Sequence, residues 1–88
     1  MLSQRRIILV VSGGIAAYKA PVLVRELIRS GAEVRVVLTA KAERFVAPSA
    51  LEVLSRHPVY GDLFHRDSEF PVLHVGLAEW ADLILIPP

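Results

Sequence analysis

The segment Ser12-Gly13-Gly14-Ile15 has the residue types of a phosphate-binding turn. It lies between a β-branched apolar stretch and an amphipathic one, where a strand would pass into a helix. Glycines let a ligand approach the backbone, and the first N–H groups of a helix attract anions. The pattern is not the dinucleotide fingerprint, because Gly13 and Gly14 are adjacent, and no Walker-type Gly-Lys-Ser/Thr occurs. A phosphate ligand and a tight turn without ligand are both compatible with this spacing.

Thr39 and the three histidines are the other candidates for a chemical role. Thr39 ends the second apolar segment, so its side chain would face the same crevice as Ser12, although helix capping alone explains it. His57 precedes a proline and is typical of a turn, and His65 lies in a polar stretch. His74 has apolar neighbours and no identifiable partner, so its environment alone favours a structural role over proton transfer.

Two apolar segments and a helical pattern between them must position these residues. Ile7–Val11 is continuous and β-branched, as in a parallel strand covered on both faces, and Glu33–Thr39 is similar. A right-handed crossover would make the two strands parallel neighbours. The helix ends at Gly31, and Pro21 predicts a kink or a separate first turn around residues 17–19. Its predicted apolar face is formed by Ile15, Tyr18, Val22, Leu23, Leu27 and Ile28.

The second half of the sequence predicts shorter elements and a third strand. In chain order these are short helices over Thr39–Phe45 and Pro48–Leu54, an extended piece at Val59–Tyr60, a mobile surface loop over Gly61–Pro71, a helix over Val72–Ala81 and a buried strand over Leu83–Ile86. We expect Trp80 to pack the last helix on the sheet and Asp82 to end that helix. The pattern predicts an α/β parallel sheet with an unpaired edge, so we expect either part of a longer domain or a subunit that associates.

Composition excludes several classes of protein. Eighty-eight residues, 53% of them hydrophobic and 22% charged, suffice for one globular domain and no second. A formal net charge of +1 offers no polycationic face to nucleic acid. The absence of cysteine excludes disulfides, Cys-ligated zinc and a thiol nucleophile within these residues. No apolar run approaches the ~18 residues of a membrane span. We interpret the amino-terminal apolar stretch as the first strand and not as a secretion signal, and we expect a cytoplasmic location.

Three motifs in order resemble the FMN-containing cysteine decarboxylases. They are Ser12–Lys19, Val37–Ala40, and Leu73–Val75 leading to Trp80–Ile86, and they cover nearly the whole chain in register. Within that family, the resemblance favours the members of coenzyme A biosynthesis, whose substrate is phosphopantothenoylcysteine. It implies a Rossmann-like, doubly wound flavoprotein, of which residues 1–88 form the amino-terminal part of a single FMN-binding domain. It also implies trimers or multiples of trimers, with FMN near a subunit interface.

The resemblance also assigns roles to individual residues. In this family FMN oxidises the cysteine moiety to a thioaldehyde, carbon dioxide leaves because the resulting carbanion is delocalised, and the reduced flavin returns the hydride. On this sequence, Ser12-Gly13-Gly14 would hold the FMN phosphate, and Thr39 and Phe45 would line the flavin site. His74 matches the active-site histidine of the family, the acid or base of the reaction.

Three parts of the family's active site have no counterpart in residues 1–88. They are a Pro-Ala-Thr-Ala-Asn segment that contacts FMN, a later substrate-binding asparagine and a lid cysteine. Pro88 matches the first residue of that segment, and Pro87 replaces a common alanine. We therefore expect the 88 residues alone to lack decarboxylase activity. Two alternatives remain open: a peptidyl-cysteine decarboxylase of lantibiotic maturation, and a non-catalytic flavin-binding or regulatory subunit.

Overall fold

A computed structural model describes residues 4–61 and 79–87, and within them three parallel strands form one sheet. The elements are β1 (Arg6–Val11), α1 (Gly14–Arg29), β2 (Glu33–Leu38), a 3₁₀ helix (Ala42–Arg44), α2 (Pro48–Ser55) and β3 (Leu83–Leu85). The strand order is β2-β1-β3, with both pairings parallel. These bounds confirm the predicted α/β class and both short helices. Apart from Gly61, the loop predicted over residues 61–71 lies outside the described residues, and so does most of the helix predicted over 72–81.

The extended piece around Tyr60 joins the outer edge of β2. Tyr60 forms a parallel bridge with Val37, its N–H donates to the carbonyl of Val36 at 2.9 Å, and its carbonyl accepts from the N–H of Leu38 at 2.9 Å. The brief extended segment predicted at Val59–Tyr60 is therefore confirmed. It gives β2 a hydrogen-bonding partner on both sides, so β2 is an inner strand where this bridge forms.

Both faces of the sheet carry buried side chains. One face packs under α1, α2 and the 3₁₀ helix, in a core that includes Ile7, Leu9, Val11, Val34, Val36, Leu38 and Leu51. On the other face Ile8 and Val37 are buried, and they pack against Val10, Tyr60, Trp80 and Ala81. The predicted packing of Trp80 on the sheet is thus confirmed. The continuous β-branched composition of β1 follows from this burial on two sides.

The face of α1 that packs on the sheet overlaps with the predicted face only in part. Of the predicted set, Leu27 is buried, and Leu23 and Ile28 are partly buried against the core. By contrast, Ile15, Tyr18 and Val22 are 72%, 85% and 62% exposed. The buried residues of α1 are Ala16, Ala17, Ala20, Val24 and Leu27. The reason is steric: the strands beneath already fill the layer with large side chains, so the helix packs with its small side chains inward. The predicted helix is confirmed, but its buried face also contains the three alanines and excludes Ile15, Tyr18 and Val22.

Pro21 lies inside a continuous helix. Helix α1 runs from Gly14 to Arg29 without interruption, so a separate first turn is wrong, while the bend around residues 17–19 stays a prediction. Strand β3 also differs from its expected burial, because Leu83 and Ile84 are 46% and 48% exposed. Among the described residues, β3 pairs only with β1, and its other edge is therefore open.

Polar contacts join the elements at the amino ends of the strands. The Asp82 carboxylate accepts a hydrogen bond from the Arg6 N–H at 2.9 Å, and the Asp82 N–H donates to the Arg6 carbonyl at 2.7 Å. The helical residues 79–80 end before Asp82, as predicted, and this link to β1 is an additional role. The Arg35 guanidinium stacks 4.7 Å from the centre of the Trp80 ring and donates through Nη1 to Tyr60 Oη at 3.0 Å.

Candidate anion-binding site

The carboxyl ends of β1 and β2 bring the predicted phosphate turn next to Thr39. Val11 is in register with Leu38, and the Thr39 N–H donates to the Val11 carbonyl at 3.1 Å. Ser12 follows Val11 directly, so the turn and Thr39 lie at the same edge of the sheet. This is the edge at which open α/β sheets bind their ligands. The structure therefore brings together the residues that the sequence predicted for the site on these two strands.

The amino terminus of α1 is free to bind an anion. Gly13 is the N-cap residue, no side-chain hydrogen bond caps the helix, and its first turn contains no acidic residue. The first N–H groups of any helix lack intrahelical acceptors and carry the positive end of the helix dipole. Ser12 is exposed beside them, and in the described part of the chain its hydroxyl has no hydrogen-bond partner.

The two adjacent glycines have different functions in this turn. Gly13 has φ −143° and ψ 174°, an extended conformation open to any residue, and a Cβ at this position would meet nothing within 4 Å. A Cβ on Gly14, by contrast, would lie 3.2 Å from Cζ of Phe45. Gly13 thus leaves open space in front of the helix terminus, and Gly14 permits an aromatic ring to lie against the backbone.

Thr39 caps the segment that carries this ring. Its Oγ1 accepts a hydrogen bond from the Ala42 N–H at 3.2 Å, which confirms the predicted capping role. A hydroxyl has one donor and two acceptor sites, so the half-buried Thr39 can still donate its proton to a ligand oxygen. Capping and ligand binding are therefore compatible at this residue.

The described histidine lies away from this edge. His57 Nε2 is 3.1 Å from Oε2 of Glu33, the first residue of β2, so it joins the opposite end of that strand. His65 and His74 lie outside the described residues, and the role of His74 stays a prediction. In residues 4–61 and 79–87, no cluster of His, Cys, Asp or Glu has the arrangement of a metal site. No helix in this part of the chain has the length and apolarity of a membrane span.

Sequence reasoning missed a groove along the outer side of α1. It has a volume of about 390 Å³. Its lining residues are Ala16, Tyr18, Lys19, Val22, Leu23, Glu26 and Pro87. Tyr18 and Val22 belong to the predicted apolar face of α1, so their positions in the sequence do not indicate a groove. The alanines at positions 16, 17 and 20 are the signal that could have revealed it, because they mark a second, smaller apolar face at helical spacing.

The site can bind a phosphate monoester. It offers backbone N–H donors at the positive end of a sixteen-residue helix and hydroxyls from Ser12 and Thr39, and α1 places no carboxylate in its first turn. These donors match the acceptor oxygens of a phosphate, and the open space before Gly13 gives access. The residues present therefore fit the phosphate of a mononucleotide such as FMN.

Comparison with known proteins gives the same fold and a family. The Coenzyme A biosynthesis bifunctional protein CoaBC of Bacillus subtilis (strain 168) is 47% identical over 88 residues, which are 100% of this chain and 22% of that protein. A probable phosphopantothenoylcysteine decarboxylase of Streptococcus mutans is 43% identical over 84 residues, or 96% of this chain and 47% of that protein. The chain thus spans half or less of the length of these relatives.

A solved structure extends the likeness to three dimensions. The FMN-dependent cysteine decarboxylase SpaF matches 100% of this chain and 51% of its own, with a TM-score of 0.80 and 31% sequence identity. The model of the Flavoprotein family matches residues 1–88. The Rossmann-like fold implied by the sequence motifs is confirmed, and the chain belongs to the flavoprotein family.

Proposed function

We propose that the chain is the amino-terminal part of an FMN-dependent decarboxylase of coenzyme A biosynthesis. Its reaction would convert 4′-phosphopantothenoylcysteine to 4′-phosphopantetheine. The observation that carries the proposal is the uncapped terminus of α1, which faces open space before Gly13 and has the Ser12 and Thr39 hydroxyls at the same edge. The relatives of this pathway support it, because their similarity covers 96% and 100% of the chain.

In this proposal the described residues bind and orient the cofactor. The first N–H groups of α1 and the Ser12 hydroxyl bind the FMN phosphate, and Thr39 donates its hydroxyl proton to a further oxygen of the ligand. The ring of Phe45 forms one wall of the site. Bound FMN would accept the hydride removed from the cysteine moiety, and this oxidation makes the loss of carbon dioxide easy.

His74 is proposed as the acid or base that moves a proton at the substrate. Its support is the sequence match alone, since it lies outside the described residues. We expect His74→Asn protein to keep its FMN and lose decarboxylation by about 100-fold or more, as is typical when a general acid or base is removed. The measurement is carbon dioxide release from phosphopantothenoylcysteine, with bound FMN measured by absorbance. His65→Asn serves as the control, and normal turnover by His74→Asn would refute the assignment.

The first experiment is native mass spectrometry of the protein purified from its own gene. A chain that carries FMN would support the proposed cofactor, and a colourless protein that fails to take up added FMN would overturn it. Turnover of phosphopantothenoylcysteine then tests the substrate. FMN binding without turnover would instead favour a non-catalytic flavin-binding subunit.

The same spectrum tests the proposed assembly into trimers or multiples of trimers. The exposed Ile15, Tyr18 and Val22 support association, because an apolar stripe on a helix is typical of a surface that another element covers. A monomer at micromolar concentration would contradict the trimer. A cytoplasmic location is part of the proposal as well, supported by the coenzyme A pathway of the relatives, and cell fractionation would test it.

A second substrate is worth assaying because of the likeness to SpaF. That protein is a cysteine decarboxylase, and its fold superposes over the whole of this chain with a TM-score of 0.80. A peptide that ends in cysteine is the probe for this alternative, a peptidyl-cysteine decarboxylase of lantibiotic maturation. Faster turnover of the peptide than of phosphopantothenoylcysteine would favour it.

A further inference from the structure

Arg35 contacts both ends of the segment 62–78, which lies between the two described ranges of the chain. Tyr60 lies just before this segment and Trp80 just after it. The Arg35 guanidinium donates through Nη1 to Tyr60 Oη at 3.0 Å, and it stacks 4.7 Å from the centre of the Trp80 ring. One side chain on β2 thus contacts the chain on either side of the segment.

The backbone attaches these two ends to different strands. Tyr60 pairs with the outer edge of β2, whereas the N–H of Asp82 donates to the carbonyl of Arg6 at the amino end of β1. The side chains of Tyr60 and Trp80 nevertheless pack on the same buried cluster, on the face of the sheet opposite α1. Arg35 contacts both of them there, so its guanidinium joins two ends that the backbone holds apart.

These contacts depend on the shape of the guanidinium as well as on its charge. Its plane can stack on an aromatic face while the N–H groups at its edge donate to an acceptor, and an ammonium group lacks this planar fork. Nε of Arg35 is buried without a hydrogen-bond partner in the described residues, and a buried unpaired donor costs stability. This cost offsets part of what the two contacts contribute to stability, whereas their effect on the placement of Tyr60 and Trp80 is not reduced.

We propose that Arg35 is a positioning residue for the reaction, because it fixes both ends of the segment that contains His74. The inference rests on the proposed function, in which His74 moves a proton at the substrate. His74 precedes Trp80 by six positions in the sequence, so it is covalently close to one of the two fixed ends. A displacement of about 1 Å in a reacting group can lower turnover by about 100-fold, even when the altered residue lies away from the reacting atoms.

The test is steady-state turnover of phosphopantothenoylcysteine by the protein purified from its own gene. We expect Arg35→Met to lower kcat by about tenfold or more, with KM and the dissociation constant of FMN within about twofold of wild type. Tyr60→Phe removes only the hydrogen bond at one end, so it should lower kcat by a smaller factor. It also keeps the inference testable if Arg35→Met does not fold.

The control for reduced stability is Leu51→Val. It shortens a buried side chain of α2 on the other face of the sheet, away from both ends of the segment. Its kcat should equal that of wild type below its unfolding temperature. Hydrogen exchange measured by mass spectrometry adds a readout that does not depend on activity: amides of residues 62–78 should exchange several-fold faster in Arg35→Met than in Leu51→Val.

The outcomes separate this inference from the proposed function. A wild-type kcat in Arg35→Met, an equal loss of kcat in Leu51→Val, or equal exchange over residues 62–78 in the two variants would overturn the inference and leave FMN binding intact. A loss of FMN affinity as large as the loss of kcat in Arg35→Met would also overturn it. Failure of wild-type protein to bind FMN or to release carbon dioxide would overturn the proposed function, and the exchange comparison would still decide whether Arg35 fixes the segment.

Discussion

The two ends of the parallel sheet differ in what their polar groups bind. At the amino ends, the Asp82 carboxylate binds the backbone of Arg6, and His57 pairs with Glu33. Arg35 contacts Tyr60 and Trp80. At the carboxyl ends, α1 begins without a side-chain cap. Polar groups that are paired in this way stabilise the fold, although Nε of Arg35 is buried without a hydrogen-bond partner in the described residues. The open groups at the carboxyl ends are available to a ligand. We therefore expect substitutions at the amino ends of the strands to change mainly stability, and substitutions at the carboxyl ends to change mainly ligand binding.

The largest expected effect comes from a charge at the open end. Gly13→Asp should lower FMN affinity by about 100-fold, because like charges about 4 Å apart repel by ~1 kcal/mol in water and ~4 kcal/mol near a protein surface. The same substitution should raise stability slightly, since Asp is a good N-cap and favours the helix dipole. Isothermal titration and thermal unfolding measure the two effects. Gly13→Asn is the uncharged control, and an Asp variant that binds FMN normally would place the phosphate elsewhere.

A substitution at the paired end should have the reverse pattern. Arg35→Met removes the stacking on Trp80 and the hydrogen bond to Tyr60, and we expect it to lower the free energy of unfolding by about 2 kcal/mol. FMN affinity should stay within about twofold, because neither contact involves the turn at Ser12 and Gly13 or the Thr39 side chain. Urea unfolding and flavin titration test this pair of results. Arg25→Met, on the exposed side of α1, is the matched control, and a parallel loss of FMN affinity in Arg35→Met would mean that the two ends are coupled.

Substitution of Thr39 should give the smallest effect on stability and on FMN affinity. It sharpens the comparison because Thr39, at the carboxyl end of β2, is assigned both a stabilising hydrogen bond and a ligand contact. Thr39→Val removes the hydrogen bond to Ala42, which should cost about 1 kcal/mol of stability, as for other capping residues. FMN affinity should fall several-fold, because valine has no hydroxyl to donate a hydrogen bond to the ligand and because the turn between Thr39 and Phe45 is loosened. Thr39→Ser should retain both properties. A Thr39→Val protein of normal stability would contradict the capping role, and normal FMN affinity would contradict the binding role.

Local patterns in the sequence predicted the strands, the short helices and the capping by Thr39. These features depend on residues near one another in the chain, so composition and spacing are sufficient to identify them. The orientation of α1 depended on the sheet beneath it, and a helix with apolar residues on two sides gives no local indication of which side is buried. The contact of Phe45 with Gly14 joins two separate elements, and no spacing rule specifies it. The assignment of His74 came from resemblance, and His74→Asn remains its test.

The link between Arg6 and Asp82 has a consequence for the order of folding. It joins residues separated by 76 positions in the chain. The edge of β1 opposite β2 gains its hydrogen-bonding partner only when β3 has been made. A growing polypeptide can therefore form β1, α1 and β2 early, while one flank of its central strand still lacks a neighbour. We expect pulsed hydrogen exchange during refolding to protect the amides between β1 and β2 before those of β3, and protection of β3 first would contradict this order. The central strand β1 is thus the first strand to be synthesised, but it is paired on both edges only after β3 has formed.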